Sequence, residues 1–346
     1  MAVAGCGSHV ARIVDRDGAI ITEANVLTEV EWNRVLDDVS TARVVVHPDG
    51  DCCERLGQVR SWRHRLLIYR DGQPVWEGPI LQVEWGYGQV EIFASDVLAW
   101  LARRVVHSSM SFTDTDLTEI AEQLIEDGFA PDDPGHSVSI VGPAKVRGAR
   151  EYTLNIGQTF DHVQDLAEVG LDFTAVGSTI VLLPEDFSAS IGRLTEADMP
   201  EGLVVAEDGA SLATRWVVAG DEEGDVLGEA GGADAYYGLL ERYLEQTSIP
   251  DDASAASAAE AKLRTSRQVP VFIDTQNVTI SPQASVDVPS LVPGWCLDIT
   301  TTLTCRTVSQ RLKIVGVKVA EDGGSGDDPG SESVQVQVAA LSEAVS

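Results

Sequence analysis

The stretch "LLIYRDGQPVWEGPIL", Leu66 to Leu81, carries apolar residues in alternation on both sides of Asp71-Gly72. Asp-Gly between two alternating runs is the strongest short-range signal for a β-hairpin, because both central positions of the favoured two-residue turn need a positive φ. Trp76-Glu77-Gly78-Pro79 reads as the stop of the second strand. Outward from this hairpin the same pattern continues. "HVARIV" and "AIITEA" flank Asp17-Gly18, "TEVEWNRVL" and "TARVVVH" flank Asp37-Asp38, and "QVEIFAS" follows "GYG". Strands this short and this regularly spaced read as a barrel or sandwich over residues 9–94. "DCCERLGQV" reads as a short helix, and "DVLAWLARRVV" closes the segment with apolar residues at helical spacing.

From about 110 to 190 the pattern changes. "DTDLTEIAEQLIEDGF" has acids in its first turn, Gly near its end and one apolar stripe of Leu117, Ile120, Ala121, Leu124 and Ile125. "TFDHVQDLAEVG" predicts a second helix with Thr159 as N-cap, and "LDFTAVGSTIVLLP" a hairpin turning at Gly177-Ser178. Beyond 191 strands return in "GLVVAED", "SLATRWVVAG", "VPVFIDTQNVTI", "WCLDITTTLTC", "RLKIVGVKVAED" and "SVQVQVAALSE". "AYYGLLERYLEQ" and "DDASAASAAEAKLRTSR" read as helices between them, and "DEEGDVLGEAGGADA" and "EDGGSGDDPGSES" as acidic Gly-rich loops. The expected fold class is therefore mainly β with an α+β insert. Residues 1–105 form a first β-barrel, 106–190 a small α+β domain, and 191–346 a second β-barrel with a helical insertion. No sequence repeat links the two β parts.

The chain of 346 residues has 24 Lys+Arg against 55 Asp+Glu, a net charge of -31. Residues 1–105 hold 11 basic and 15 acidic residues; 106–346 hold 13 and 40. Such a balance repels nucleic acid, which is bound through cations that neutralise phosphates. It serves solubility, or a surface past which a polyanion slides without sticking. No apolar run is long enough to span a membrane, and the N-terminus has neither the basic start nor the apolar stretch of a signal peptide. The protein is expected to be made in a cytosol and to leave it only as part of a larger assembly.

The familiar catalytic constellations are missing from the sequence. HExxH, GxSxG, GxxxxGK[ST] and a strand-to-helix GxGxxG do not occur. The six histidines are scattered, and His162 beside Asp161 and Asp165 fits a solvated helix face. "DRDG", "DTD" and "DEEGD" lack the distal Glu of a calcium loop, so turn chemistry explains them. Cys6, His9, His47, Cys52 and Cys53 could be drawn as a zinc site, but the spacing lacks a CxxC pair. Buried thiols, or a Cys6–Cys52 contact, fit better. "RSWRHRLLIYR" is too strand-like for a nucleic-acid patch, since alternation turns half of it into the core. No enzyme activity, cofactor or metal is expected.

"VEWNRVLDDVSTARVVV", "RLLIYRDGQPVWEGPILQVEW" and "VEIFASDVLAWLARR" resemble the N-terminal barrel of minor tail proteins from long-tailed (siphovirus-type) actinobacterial phages, members of the tail-hub, baseplate-hub-like class. "AYYGLLERYLEQTSIPDDASAASAAEAKL" and "LVPGWCLDI" resemble that family's second barrel and its entry helices. The hairpin Arg70-Asp71-Gly72 with Trp76, Gly78 and Pro79 is the most specific part. The resemblance implies a homotrimer whose two tube-like barrels per subunit make a six-fold-like ring at the tail tip. Its partners would be the distal tail ring, other tail-tip proteins and the tape measure protein, and DNA would pass through the channel without specific binding. The hairpin residues would then be scaffold, with Trp76 anchoring packing and Gly78-Pro79 bending the strand at a barrel corner. The chain ends soon after "SVQVQVAALSEAVS", leaving no room for the peptidase or carbohydrate-cleaving extensions of longer hubs. The alternatives are a tail-tip enzyme, and a host-cell-binding module, which would show exposed aromatic platforms. Most of the seven Trp fit the core better.

Overall fold

A computed structural model of the chain describes residues 7–24, 27–47, 50–199, 204–207, 209–220, 225–266, 271–274, 280–281, 284–301, 308–322 and 331–340. The first hundred residues form β1 (His9–Val14), β2 (Ile20–Ala24), β3 (Leu27–Val35), β4 (Thr41–Val46), α1 (Gly50–Leu56), β5 (Arg65–Arg70), β6 (Gln73–Trp85), β7 (Val90–Ser95) and α2 (Leu98–Leu101). The hairpin β5–β6 turns at Asp71 (φ 50°) and Gly72 (φ 79°), both left-handed. Gly78-Pro79 is not a stop. β6 runs through it and changes partner there, pairing β5 up to Pro79 and β7 from Ile80 onward. Proline has no N–H to give a ladder, so the point where a strand leaves one neighbour for another suits it.

The middle of the chain contains β8 (Met110–Asp116), α3 (Leu117–Phe129), β9 (Ser137–Ile140), β10 (Arg147–Tyr152), α4 (Thr159–Ala167), β11 (Leu171–Val176) and β12 (Thr179–Pro184). The Asp116 carboxylate caps α3 by accepting the Thr118 N–H, and the whole apolar stripe of α3 is buried. Gly128 does not end the helix. It lies inside it, where an added Cβ would stand 3.0 Å from Leu101 and 3.1 Å from Thr159. Thr159 is the first helical residue of α4 and Gln158 its N-cap. β8, β9 and β10 were not legible as strands, being short and polar.

The remainder comprises β13 (Ser190–Leu194), β14 (Val204–Glu207), β15 (Arg215–Ala219), β16 (Leu227–Gly231), β17 (Glu241–Glu245), α5 (Asp252–Ser266), β18 (Val271–Asp274), β19 (Cys296–Thr301), β20 (Val308–Asp322) and β21 (Ser331–Ala340). Two expectations fail here. "AYYGLLERYLEQ" is not a helix: Gly238 (φ 77°) turns the chain at an Asp234–Gly238 bridge, and β17 then pairs in parallel with β15. "DEEGDVLGEAGGADA" is not all loop, since β16 lies within it and pairs antiparallel with β15. Most of "EDGGSGDDPGSES" lies outside the described residues.

The fold is mainly β. One 13-stranded sheet follows the order β14-β18-β21-β20-β3-β4-β7-β6-β5-β1-β2, with β13 and β19 attached through β20. Among the described residues no ladder closes it into a barrel. The two β parts are instead joined edge to edge by β3 pairing with β20 over seven residue pairs, Val35 opposite Gly316 to Glu29 opposite Asp322. One apolar core draws on residues 11–94 and 194–338. A second combines α2, α3, α4, β11 and β12 with β15 and α5. The helical insertion of the last third thus packs with the middle domain.

Candidate functional site

Sequence reading singled out Arg70, Asp71, Gly72, Trp76, Gly78 and Pro79, and the structure brings the first of these onto the far end of the chain. Arg70 is fully buried at the end of β5. Its Nε and Nη2 donate to the two carboxylate oxygens of Glu332 on β21, at 2.6 and 2.7 Å. The Gly7 N–H donates to the same carboxylate at 2.9 Å. Burial alone would raise the Glu332 pKa, but these hydrogen bonds outweigh it and leave the carboxyl below its usual range. Asp71 closes the corner: its carboxylate accepts the Ser8 N–H, and its own N–H donates to the Ser8 carbonyl. Gly72 faces open space.

Beside this pair lies His9 of β1, also buried. The Trp32 indole N–H donates to His9 Nε2 at 3.1 Å, so the proton of the neutral ring sits on Nδ1 and is donated to Glu321 of β20 at 2.5 Å. Arg34 of β3 is a second buried guanidinium. It donates to the carbonyls of Pro289, Leu291 and Val75 and lies 5.2 Å from the centre of the Trp32 ring. It has no carboxylate partner among the described residues, and burial pulls its pKa down to about 10. Trp76 is 4% exposed, and its indole N–H donates to the Asn33 carbonyl. An added Cβ on Gly78 would stand 1.8 Å from the Ser95 carbonyl oxygen, so β6 and the end of β7 meet at a spacing that excludes any side chain. These residues form a lattice of buried polar bonds that locks β1, β3, β5 and β6 to residues 289–291, β20 and β21.

A second buried cluster joins the two cores. Asp37, at φ 61° between β3 and β4, exchanges two hydrogen bonds with Phe173 of β11: its N–H to the Phe173 carbonyl, the Phe173 N–H to its carboxylate. Lys313 of β20 donates to the Asp172 carboxylate at 2.6 Å and to the Glu185 carbonyl. Burial raises the pKa of Asp37, of Asp172 and of Glu185, the last to about 7. Nothing in the sequence marks this cluster, since its members lie on four separate segments.

The drawn zinc ligands are engaged or unseen: His9 as above, His47 at the Gly88 carbonyl, while Cys6 and the Cys52 side chain lie outside the described residues. Cys53 is exposed and Cys296 buried, its thiol pushed up to about 11 by burial. Among the described residues no three His, Cys, Asp or Glu side chains gather as a metal site, and no helix is long and apolar enough to cross a membrane.

No protein-family model matches this chain, and no curated protein does. Solved structures do. The tail protein from Neisseria meningitidis MC58 superposes with a TM-score of 0.64 at 12% identity, covering 96% of each chain. The 43 kDa tail protein of prophage MuSo2 from Shewanella oneidensis gives 0.62 at 12% identity, covering 97% of this chain and 99% of that one. The E. coli c3393 protein, a type VI secretion component described as structurally similar to T4 tail proteins gp27 and gp5, gives 0.53 at 13%, over 91% and 73%. The chain shares, from end to end, the fold of phage tail proteins.

Proposed function

We propose that this chain is a structural hub at the tip of a siphovirus-type phage tail. In this reading three copies form a ring, the two β parts of each copy act as tube-like barrel domains, and six such domains adapt the hexameric tail tube to the tip. The boundaries at 105 and 190 belong to the proposal, as does an origin in an actinobacterial phage. So do the partners: the distal tail ring, other tail-tip proteins, the tape measure protein, and DNA passing through the channel unbound. The observation that carries it is the match to phage tail proteins over nearly the full length of both chains. The joining of the two β parts through β3 and β20 supports it, because it unites them in one continuous sheet within a single subunit. The net charge of -31 fits a channel that does not retain DNA.

Counting subunits in intact virions tests the proposal. Three copies per tail are expected, and six would overturn it. The host-binding alternative draws on one observation, the tyrosines exposed between residues 236 and 243.

A further inference from the structure

Large apolar side chains are exposed unevenly. Of the thirteen exposed among the described residues, six fall within residues 227–243: Leu227, Tyr236, Tyr237, Leu239, Leu240 and Tyr243. They are held out by built structure. The Asp234 carboxylate accepts the N–H groups of both Tyr236 and Tyr237, at 2.7 and 2.9 Å, and the two rings meet edge to face at 4.8 Å. The Thr214 hydroxyl accepts the Leu240 N–H. Tyr236 is 86% exposed and Tyr243 60%. Monomeric surfaces rarely gather apolar residues in this way without a partner.

Tyr236, Tyr237, Leu239 and Leu240 lie on the segment that leads into β17, and Leu227 and Tyr243 on the three-stranded sheet β16-β15-β17. One face is covered: Trp216 and Val218 are buried toward α5, and Gly228 approaches the α5 backbone so closely that a Cβ would stand 2.1 Å from Ala255. The other face carries Leu227 and Tyr243, with Glu229, Glu241 and Glu245 around them. Arg215 is the one base on that face, and its guanidinium is already paired with Glu229 and Glu241. β17 is an edge of this sheet, with no second strand beside it among the described residues.

We infer that β17 takes up an extended segment of another protein as an added strand, one whose apolar residues lie on Tyr243 and whose flanking lysines or arginines face Glu241 and Glu245. Strand addition supplies the backbone partners that an edge lacks, and alternate side chains supply the selectivity. The charge pattern decides the occupant. A second copy pairing through its own β17, antiparallel about Tyr243, would set glutamate against glutamate, which opposes pairing. A basic strand meets an acidic rim.

The test uses the full chain and two synthetic peptides, Thr-Lys-Thr-Val-Thr-Lys-Thr and its counterpart with Glu for Lys. The Lys peptide should bind and slow amide hydrogen exchange in Glu241–Glu245, while the Glu peptide should bind at least roughly tenfold more weakly. The exposed double substitution Glu241→Lys, Glu245→Lys should reverse that preference, and Tyr243→Ser should abolish binding with the fold intact by circular dichroism. Binding of neither peptide, binding without charge preference, self-association that protects β17 unaided, or capture of a soluble oligosaccharide by the same tyrosines would overturn it. None of these readouts depends on the hub proposal, so the two can fail separately.

Discussion

Arg70 and Glu332 are buried together; removing Arg70 strands the Glu332 carboxylate in a site closed to water, and removing Glu332 takes from Arg70 its buried partner while leaving the 3.3 Å ion pair with the exposed Asp71. Breaking one side of such a pair costs about 3–5 kcal/mol. Replacing both with apolar residues of similar volume is often close to neutral. Arg70→Met alone, or Glu332→Leu alone, should therefore lower the urea midpoint sharply, and the double variant should recover most of the loss. A double variant as unstable as the singles would mean that the bond to the Gly7 N–H, which the pair also serves, contributes more than the charge pairing. At this scale the sequence was informative about which residues are unusual and silent about why. Arg70-Asp71-Gly72 stood out as a turn, and the turn is there. That Arg70 reaches a residue 262 positions away could not be read from any local pattern.

At the scale of elements, legibility followed locality. The β5–β6 and β11–β12 hairpins, α3 and α5 depend on neighbours in sequence, and the turns at Asp71-Gly72 and Gly177-Ser178, the apolar stripe of α3 and the alanine content of α5 showed them. β17 was misread because Leu239, Leu240, Tyr243 and Leu244 have helical spacing, yet four residues of this stretch, Tyr237, Leu239, Leu240 and Tyr243, are exposed and never formed a core-facing stripe. Pairing with β15, a tertiary contact, set its conformation. Gly78 illustrates the same limit. Its φ is ordinary, and the reason for glycine is the Ser95 carbonyl 1.8 Å from where a Cβ would stand. Backbone on both sides cannot give way cheaply, so Gly78→Ala should cost about 1–3 kcal/mol or more. Gly72→Ala meets nothing within 4 Å and bears only its left-handed φ, about 1 kcal/mol. Chemical denaturation of the two variants side by side would check this, and a larger loss at Gly72 would refute the packing account.

Across the whole molecule, the two cores are held by a junction with more acids than bases. Asp37, Asp172 and Glu185 meet Lys313 there, with Lys262 of α5 contributing attraction from further off. Burial raises Glu185 to about 7, and Asp96, buried at the start of α2, also to about 7. In the unfolded chain carboxyls titrate near 4. Between those values the folded protein binds more protons than the unfolded one, so stability falls as pH rises. The contribution is fully present below about pH 4 and is lost on passing pH 7; for Glu185 it is on the order of 3 kcal/mol. Carboxyls held low, such as Glu332, Asp132 and Asp298, act oppositely, but only as pH falls below their ordinary range. The chain should therefore be most stable near pH 5, with a melting temperature several degrees higher there than at pH 8. Relief of general repulsion among 55 acids runs in the same direction, so the wild-type profile alone does not single out the junction. Glu185→Gln does. It fixes that position in its neutral form, and the melting temperature should then fall less between pH 5 and pH 8 than in the wild type. An unchanged pH slope in Glu185→Gln would remove Glu185 from the explanation and leave the effect to Asp96, the other buried carboxyls and diffuse surface charge.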